Sequence, residues 1–259
     1  MVVTGAARGI GEAIALAFGR MGCRVVVADR MRRPDGLKRC EALAANIREA
    51  GGEALVMRLD VSDRSQVEKL IEAACARFGR VDVFVNNAAI MKGGSLLGMD
   101  EKNLQEHFDV NIKGAFNCCQ LVAKQMIKQG TGGRIIVISS VDGMEAEEGI
   151  VAYSSSKASL ILMTKCMAIE LAKHKINVNA IAPGWVETDM TVPYLNDALM
   201  KELEKRIPLG YMAKPEEIAG GALFLASNLA NYVTGHVLVI DGGLTSNITI
   251  KAGEGVVQY

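Results

Sequence analysis

Three side chains in the middle of the chain could carry out acid–base chemistry. Tyr153 and Lys157 are four residues apart, which places them on the same face of a helix. The β-branched run before Ser140 predicts a strand that brings the serine hydroxyl to its carboxyl end. A lysine cation within about 4–6 Å favours a tyrosine phenolate. Tyr153 could therefore exchange a proton with a carbonyl or hydroxyl oxygen that Ser140 holds in place.

A glycine-rich turn near the start of the chain lies between a short predicted strand and a helix. Its glycines would permit a tight turn, let the backbone approach a pyrophosphate and direct the helix N-terminus at that anion. The second predicted strand ends at Asp29, whose carboxylate could accept hydrogen bonds from the adenosine ribose. This pattern predicts a dinucleotide site, in which the turn contributes Gly5, Arg8, Gly9, Ile10 and Gly11.

Basic residues after Asp29 leave the choice of dinucleotide open. Arg30, Arg32 and Arg33, together with Arg8, could neutralise the 2′-phosphate of NADP, or they could form a solvated basic loop. Asp29 would lie close to such a phosphate and oppose it. The sequence therefore favours NAD, with NADP as the alternative.

Predicted strands and helices alternate along the rest of the chain. This alternation predicts an α/β fold, a doubly wound seven-stranded parallel sheet of the Rossmann type with helices on both faces. Half of the residues are hydrophobic and only 5% are aromatic, which suits an aliphatic core around a parallel sheet. We expect residues 1–259 to form a single NAD(P)-binding domain that includes the catalytic residues. A segment rich in Met and Leu, at about 187–215, is predicted to be a substrate lid.

Two local signals refine this scheme. Ser62 is predicted to be the N-cap of a helix that runs from Asp63 to Phe78. Asn111 lies inside a long apolar helix predicted from Met99 to Lys128, where a polar residue followed soon by Gly114 is costly unless it is used. We therefore expect a kink there that frees a backbone carbonyl for a water molecule.

Composition argues against several classes of protein. The formal net charge is zero, with 29 basic and 29 acidic residues, so nucleic-acid and anionic-membrane binding are not expected. Six cysteines and three histidines lack metal-ligand spacing, so we expect free thiols and no metal site. Met1 is followed almost at once by the first strand, which leaves no room for a signal peptide and makes the cytoplasm the expected compartment.

Taken together, the motifs resemble those of the short-chain dehydrogenase/reductase family over residues 1 to 243. The matching features, in the family's order, are Thr4-Gly5 with Gly9 and Gly11, Asp60-Val61, Asn86-Asn87-Ala88, Ser140 before Tyr153 and Lys157, and Pro183-Gly184 with Thr188. Ala89 stands where the family usually has glycine, a change that is expected to preserve the fold.

The resemblance implies a role for each matching residue. Tyr153 would be the general acid/base, and Ser140 would orient the substrate oxygen. Lys157 would bind the nicotinamide ribose and lower the pKa of the tyrosine, and Asn111 would hold a water in a proton relay to that lysine. Asp60 would lie beside the adenine. The remaining cofactor residues would be Val61, Asn87, Ala88, Pro183, Gly184, Val186 and Thr188, the last near the carboxamide. The implied reaction is hydride transfer between nicotinamide and a secondary alcohol or ketone.

The family also forms tetramers, so we expect subunit contacts through the 100–128 helix and the segment from Tyr232 to Gly243. The small-molecule substrate is less determined. Glu145, Glu147 and Glu148 lie between Ser140 and Tyr153 and could accept hydrogen bonds from a sugar or polyol.

The sequence further resembles the glucose-dehydrogenase-like branch of the family in the 207–218 segment and the Ala252-Gly253 tail. A 3-oxoacyl-(acyl-carrier-protein) reductase is the enzyme alternative, although Thr131 and His174 stand where such reductases carry docking arginines. An alternative of another class is a non-catalytic dinucleotide sensor.

Overall fold

Seven parallel strands form one sheet in the computed structural model, which describes residues 1–246. The strands are β1 (Val2–Thr4), β2 (Arg24–Asp29), β3 (Glu53–Arg58), β4 (Val83–Asn86), β5 (Gly133–Ile138), β6 (Ile176–Pro183) and β7 (Val237–Ile240). Their order across the sheet is β3-β2-β1-β4-β5-β6-β7. The chain reverses its direction of winding at β1 and β4, which confirms the predicted doubly wound α/β fold.

Helices cover both faces of this sheet. They are α1 (Gly9–Arg20), α2 (Gly36–Glu49), α3 (Arg64–Phe78), α4 (Glu101–His107), α5 (Ala115–Gln129), α6 (Val151–Leu171), α7 (Asp197–Arg206) and α8 (Pro215–Ala226). One buried cluster packs α3, α5 and α6 on one face, and a second packs α1, α2 and α8 on the other. Neighbouring residues of a strand belong to opposite clusters, as Val2 and Val3 do. Short aliphatic runs buried on both sides are what a parallel sheet requires.

The N-terminus of α3 differs from the prediction. Asp63, not Ser62, is the N-cap, because its carboxylate accepts hydrogen bonds from the backbone N–H groups of Ser65 and Gln66. The Ser62 hydroxyl instead donates to Asp60 at 2.6 Å. A carboxylate also complements the positive end of the helix dipole better than a hydroxyl does, so the acid takes the capping position.

A π-helical segment lies where the sequence predicts a kink at Asn111. Residues Phe108–Gly114 are π-helical and separate α4 from α5. A π segment is frequent where a helix serves a functional site. Gly114 is needed here, since an added Cβ would lie 2.5 Å from the Val61 side chain. The segment thus brings Asn111 and Gly114 up against the carboxyl ends of the strands.

The segment between β6 and α8 is irregular apart from a short 3-10 turn and α7. A small apolar cluster of Leu203, Ile207 and Met212 anchors α7 to the loop that follows it. Within residues 1–246, no helix has the length and apolar character needed to cross a membrane. The Ala252-Gly253 tail lies outside the described residues.

Candidate active site

The carboxyl end of β5 and the start of α6 bring the three reactive side chains together. Ser140 lies just beyond β5, and Tyr153 and Lys157 lie in the first two turns of α6. Relative exposures are only 6% for Ser140, 8% for Tyr153 and 2% for Lys157. The Lys157 ammonium is 5.5 Å from the centre of the Tyr153 ring. The geometry therefore matches the convergence that the i, i+4 spacing predicts.

Two hydrogen bonds fix α6 to the end of β5. Lys157 Nζ donates to the Ile138 carbonyl at 2.9 Å, and Ser139 Oγ donates to the Lys157 carbonyl at 2.8 Å. The intervening turn passes very close to the helix, since a Cβ on Gly143 would lie 2.8 Å from the Lys157 backbone. Close packing of this kind holds the reactive groups in one arrangement, as catalysis requires.

The electrostatics of this site differ from the expectation. Burial lowers the pKa of Lys157 to about 8. The pKa of Tyr153 is raised, first by burial and then by the negative charge of Asp142, although a hydrogen bond with Ser140 opposes the shift. The lysine was expected to lower the pKa of the tyrosine. In this structure desolvation of the phenolate and the nearby carboxylates raise it instead.

Asp142 is a site residue that the sequence reasoning missed. Its carboxylate accepts a hydrogen bond from Ser140 Oγ at 2.9 Å, and it lies within hydrogen-bonding reach of the Glu147 carboxyl. Burial raises the pKa of both acids. Its position could have indicated this contact, because a carboxylate two residues after a serine in a tight turn can reach the serine hydroxyl.

Asn111 is buried and is bound on two sides. Its side chain accepts from the Ile90 N–H at 2.8 Å and donates to the Ile90 carbonyl at 3.0 Å and to Ser156 Oγ at 2.9 Å. Ser156 in turn donates to the Tyr153 carbonyl at 2.7 Å. Asn111 thus links the loop after β4 to the turn of α6 that carries Tyr153.

A cleft of about 260 Å³ opens at the switch point between β1 and β4. Most of the predicted cofactor residues line it: Gly5, Arg8, Gly9, Ile10, Asp29, Arg30, Asp60, Val61, Asn87, Ala88 and Thr188. Of the described residues, those predicted to bind the cofactor but absent from the lining of this cleft are Gly11, Tyr153, Lys157, Pro183, Gly184 and Val186. Gly11 packs against Gly5, which does line the cleft.

The floor of the cleft suits a pyrophosphate. Gly5 and Gly9 have φ values of +64° and +58°, which other residues adopt only with strain. Asn87 Nδ2 donates to the Thr4 and Gly5 carbonyls at 3.0 Å and so ties β4 to the turn. A Cβ on Gly11 would lie 2.3 Å from the Gly5 carbonyl. These contacts leave the N-terminus of α1 open to an anion, which is the arrangement that fits a dinucleotide.

The end of the cleft around Asp29 combines both kinds of charge. Asp29 accepts hydrogen bonds from the Ala7 and Met31 N–H groups at 3.2 and 2.9 Å, which holds its carboxylate in place. Arg30 pairs with Asp60 at 2.8 Å. Asp189, on the loop after β6, meets three guanidinium groups at 3.2 to 3.7 Å, those of Arg8, Arg33 and Arg39.

The thiols are unpaired. All six cysteines are free, and Cys118 and Cys119 are both fully buried. Among residues 1–246, no three His, Cys, Asp or Glu side chains form a group that could hold a metal ion.

Comparisons with known proteins agree with this geometry. A family model described as "Enoyl-(Acyl carrier protein) reductase" matches residues 5–245. The chain is 42% identical to a 3-oxoacyl-[acyl-carrier-protein] reductase of Thermotoga maritima, over 94% of this chain and 96% of that protein.

Two solved structures superpose on this chain with a TM-score of 0.88, and each superposition covers 95% of this chain and 95% of the other. One is a short-chain type dehydrogenase/reductase from Mycobacterium marinum, 38% identical. The other is a gluconate 5-dehydrogenase from Burkholderia cenocepacia in complex with NADP and tartrate, 34% identical.

Proposed function

This chain belongs to the short-chain dehydrogenase/reductase family, and we propose that its substrate is a small sugar or polyol. It is an NAD(P)-dependent oxidoreductase that acts on CH–OH groups. The observation that carries the proposal is the convergence of Ser140, Tyr153 and Lys157 beside two acidic side chains, Asp142 and Glu147.

In the proposed mechanism, Tyr153 exchanges a proton with the substrate oxygen and Ser140 holds that oxygen by a hydrogen bond. Lys157 contributes a buried cation that binds the nicotinamide ribose and stabilises the phenolate as Tyr153 loses its proton. Asn111 positions α6 and supports a proton relay to the lysine. The nicotinamide, when bound, supplies or accepts the hydride.

The glycine turn, Asp60, Asn87 and Thr188 are proposed to hold the dinucleotide, with NAD preferred over NADP. Asp29 has a fixed carboxylate that would face the ribose hydroxyls and repel a 2′-phosphate. The positive charges of the nearby arginines are already partly compensated. Arg30 pairs with Asp60, and three other arginines pair with Asp189. NADP is the alternative, as bound in the gluconate 5-dehydrogenase.

Carboxylates beside the reactive serine support a polyhydroxy substrate. Hydroxyl groups donate hydrogen bonds to carboxylates, whereas a thioester has only acceptors to offer. The similarity to the Thermotoga reductase favours a 3-oxoacyl-(acyl-carrier-protein) substrate as the second candidate. Exposed acids such as Glu145 and Glu148 would repel an acidic carrier protein.

We also propose a substrate lid, an oligomeric state and a cellular compartment for the enzyme. Residues 187–215 form a substrate lid within one domain, because Met190 on this segment already lines the cleft. Homotetramers form through the α4–α5 region, where Phe116 exposes an apolar side chain, and through the segment that starts at the fully exposed Tyr232. Six free thiols suit the reducing cytoplasm.

The test is a substrate panel with both cofactors. Gluconate, L-rhamnose, glucose, sorbitol and the N-acetylcysteamine thioester of acetoacetate are assayed with NAD(H) and NADP(H) side by side. We expect turnover of at least one sugar or polyol, and a loss of at least about 100-fold in kcat for Tyr153→Phe. Turnover of the thioester alone would favour the acyl reductase. Dinucleotide binding without turnover of any compound would favour the sensor.

A further inference from the structure

Asp189, at the start of the proposed lid, lies among arginines that have the right chemistry to bind a phosphate. We propose that Asp189 is a specificity-determining residue that takes the place of a 2′-phosphate among Arg8, Arg33 and Arg39. In this proposal NAD binds while the lid is held closed, and NADP binds only when the lid is released. The inference rests on the proposed function, because it concerns the cofactor cleft and the lid proposed there.

Three guanidinium groups, which we call the arginine cluster, converge on one oxygen of the Asp189 carboxylate. Nitrogens of Arg33, Arg39 and Arg8 lie 3.2, 3.4 and 3.7 Å from Asp189 Oδ2. One carboxylate oxygen has two lone pairs, so it cannot accept hydrogen bonds from all three groups. Arg8 Nη1 is the group left over, because it is buried and makes no hydrogen bond within residues 1–246. The cluster therefore has donors for a larger anion than a carboxylate.

A phosphate offers the oxygens that the carboxylate lacks. Its terminal oxygens can accept charge-assisted hydrogen bonds from several guanidinium groups together. The cluster also lies where a phosphate on the ribose would arrive. Asp29, which is proposed to face the ribose, accepts a hydrogen bond from the N–H of Ala7, the residue before Arg8, and lines the same cleft as the cluster. A 2′-phosphate and Asp189 would therefore compete for the same guanidinium groups.

Hydrogen bonds within the loop that carries Asp189 couple this competition to the lid. Thr191 Oγ1 donates to the Val186 carbonyl at 2.5 Å and accepts the Thr188 N–H at 3.1 Å, which makes the loop a compact unit. The loop also lies against the glycine turn, since a Cβ on Gly9 would be 3.2 Å from the Thr188 side chain. Displacing Asp189 from the arginine cluster should therefore move the loop away from the turn and open the start of the lid.

The three arginines do not depend equally on Asp189. Arg39 has a second partner, Asp35, at 2.6 Å, and stays compensated when Asp189 leaves. In the part of the chain that the structure describes, Asp189 is the one carboxylate that pairs with Arg8 or with Arg33. These two guanidinium groups are therefore the ones that a phosphate would take over from Asp189.

One substitution and two comparisons test the proposal. Asp189→Asn keeps the shape of the side chain and removes the charge that holds the arginine cluster. The matched control is Asp82→Asn, which removes the same charge from an exposed side chain just before β4, at the opposite end of the sheet. The second comparison introduces Asp189→Asn into a protein that already carries Arg8→Gln and Arg33→Gln.

Binding is measured without substrate, so the result does not depend on the substrate panel. The Kd values of NADPH and NADH are obtained by fluorescence titration of each protein. Amide hydrogen exchange of residues 186–196 is followed with each dinucleotide bound. The Kd of each variant is compared with that of wild type, so the test decides the role of Asp189 whichever dinucleotide the wild type prefers.

We expect Asp189→Asn to bind NADPH about 10-fold more tightly than wild type does, because two guanidinium groups become free to bind the phosphate. The Kd of NADH should not decrease, since NADH has no group for the cluster to bind. In the background that lacks Arg8 and Arg33, the gain for NADPH should be smaller. In wild type, residues 186–196 should exchange faster with NADPH bound than with NADH bound. Asp82→Asn should match wild type.

Several outcomes would overturn the proposal. An NADPH Kd within about 2-fold of wild type in Asp189→Asn would show that the carboxylate does not compete with the phosphate. An equal gain for NADH, or an equal gain in Asp82→Asn, would assign the effect to charge in general. An undiminished gain without Arg8 and Arg33 would show that Asp189 does not act through these arginines. Equal exchange of residues 186–196 with both dinucleotides in wild type would show that the phosphate does not release the lid.

Discussion

Replacing the buried lysine should make the protein more stable while it removes activity. Lys157 is 2% exposed, and burial lowers its pKa from 10.5 to about 8. The folded protein therefore disfavours the ammonium form that the unfolded chain carries at neutral pH. Each unit of pKa difference corresponds to about 1.4 kcal/mol, so at pH 7 the charge costs roughly 3 kcal/mol. Lys157→Met removes this cost.

The substitution also has a smaller unfavourable effect. It deletes the bond from Lys157 Nζ to the Ile138 carbonyl, which is worth about 1 kcal/mol. The net expectation at pH 7 is a gain of about 2 kcal/mol in the free energy of unfolding. For a chain of this size, that gain raises Tm by about 4–8 °C.

The dependence on pH gives the sharper test. The free-energy cost of burying the Lys157 charge is fully present below the pKa of the folded state, about 8. The cost disappears as pH rises toward 10.5, the pKa in the unfolded chain. The stability difference between the Lys157→Met variant and wild type should therefore fall by about 2 kcal/mol between pH 7 and 9.5.

Urea unfolding of protein stripped of nucleotide measures this difference across the pH range. Lys165→Met, on the exposed side of the same helix, is the control and should change stability by less than about 0.5 kcal/mol at every pH. A Lys157→Met variant that is less stable than wild type, or a difference that does not change with pH, would refute the reasoning.

Three further predictions concern the cofactor cleft and the helix that supports it. Gly11→Ala places a Cβ 2.3 Å from the Gly5 carbonyl and 2.5 Å from Asn87 Nδ2, so we expect at least a ~10-fold weaker Kd for dinucleotide by calorimetry; unchanged affinity would contradict this packing. Asp29→Asn removes the charge that opposes a 2′-phosphate and should raise the NADP:NAD ratio of kcat/KM by about 10-fold. A ratio that stays constant would mean that Asp29 does not face the ribose. Asn111→Ala breaks three hydrogen bonds of a buried side chain and should lower the free energy of unfolding in urea by about 1–3 kcal/mol. The variant should also lose more in kcat than in cofactor affinity. Full activity would exclude Asn111 from the catalytic arrangement.

The sequence by itself determined the architecture and the position of the reactive groups. Aliphatic runs separated by helical patterns dictate a parallel sheet, and residues that follow those runs must gather at one edge of it. Fixed spacing placed Tyr153 and Lys157 on one helix face, and the glycine turn by itself predicts an anion site at the start of α1. These features are local, so the order of residue types is enough to find them.

Tertiary structure alone decided the electrostatics and the finer contacts. The pKa of Tyr153 depends on how much water reaches the phenol and on which carboxylate lies beside it, and neither follows from spacing. Asp142 had no motif to mark it, and its hydrogen bond with Ser140 depends on the turn that brings the carboxylate back to the serine. The pairing of Asp189 with arginines from distant segments is likewise a product of folding. Desolvation and charge act through space, so they are fixed only when the whole chain has packed.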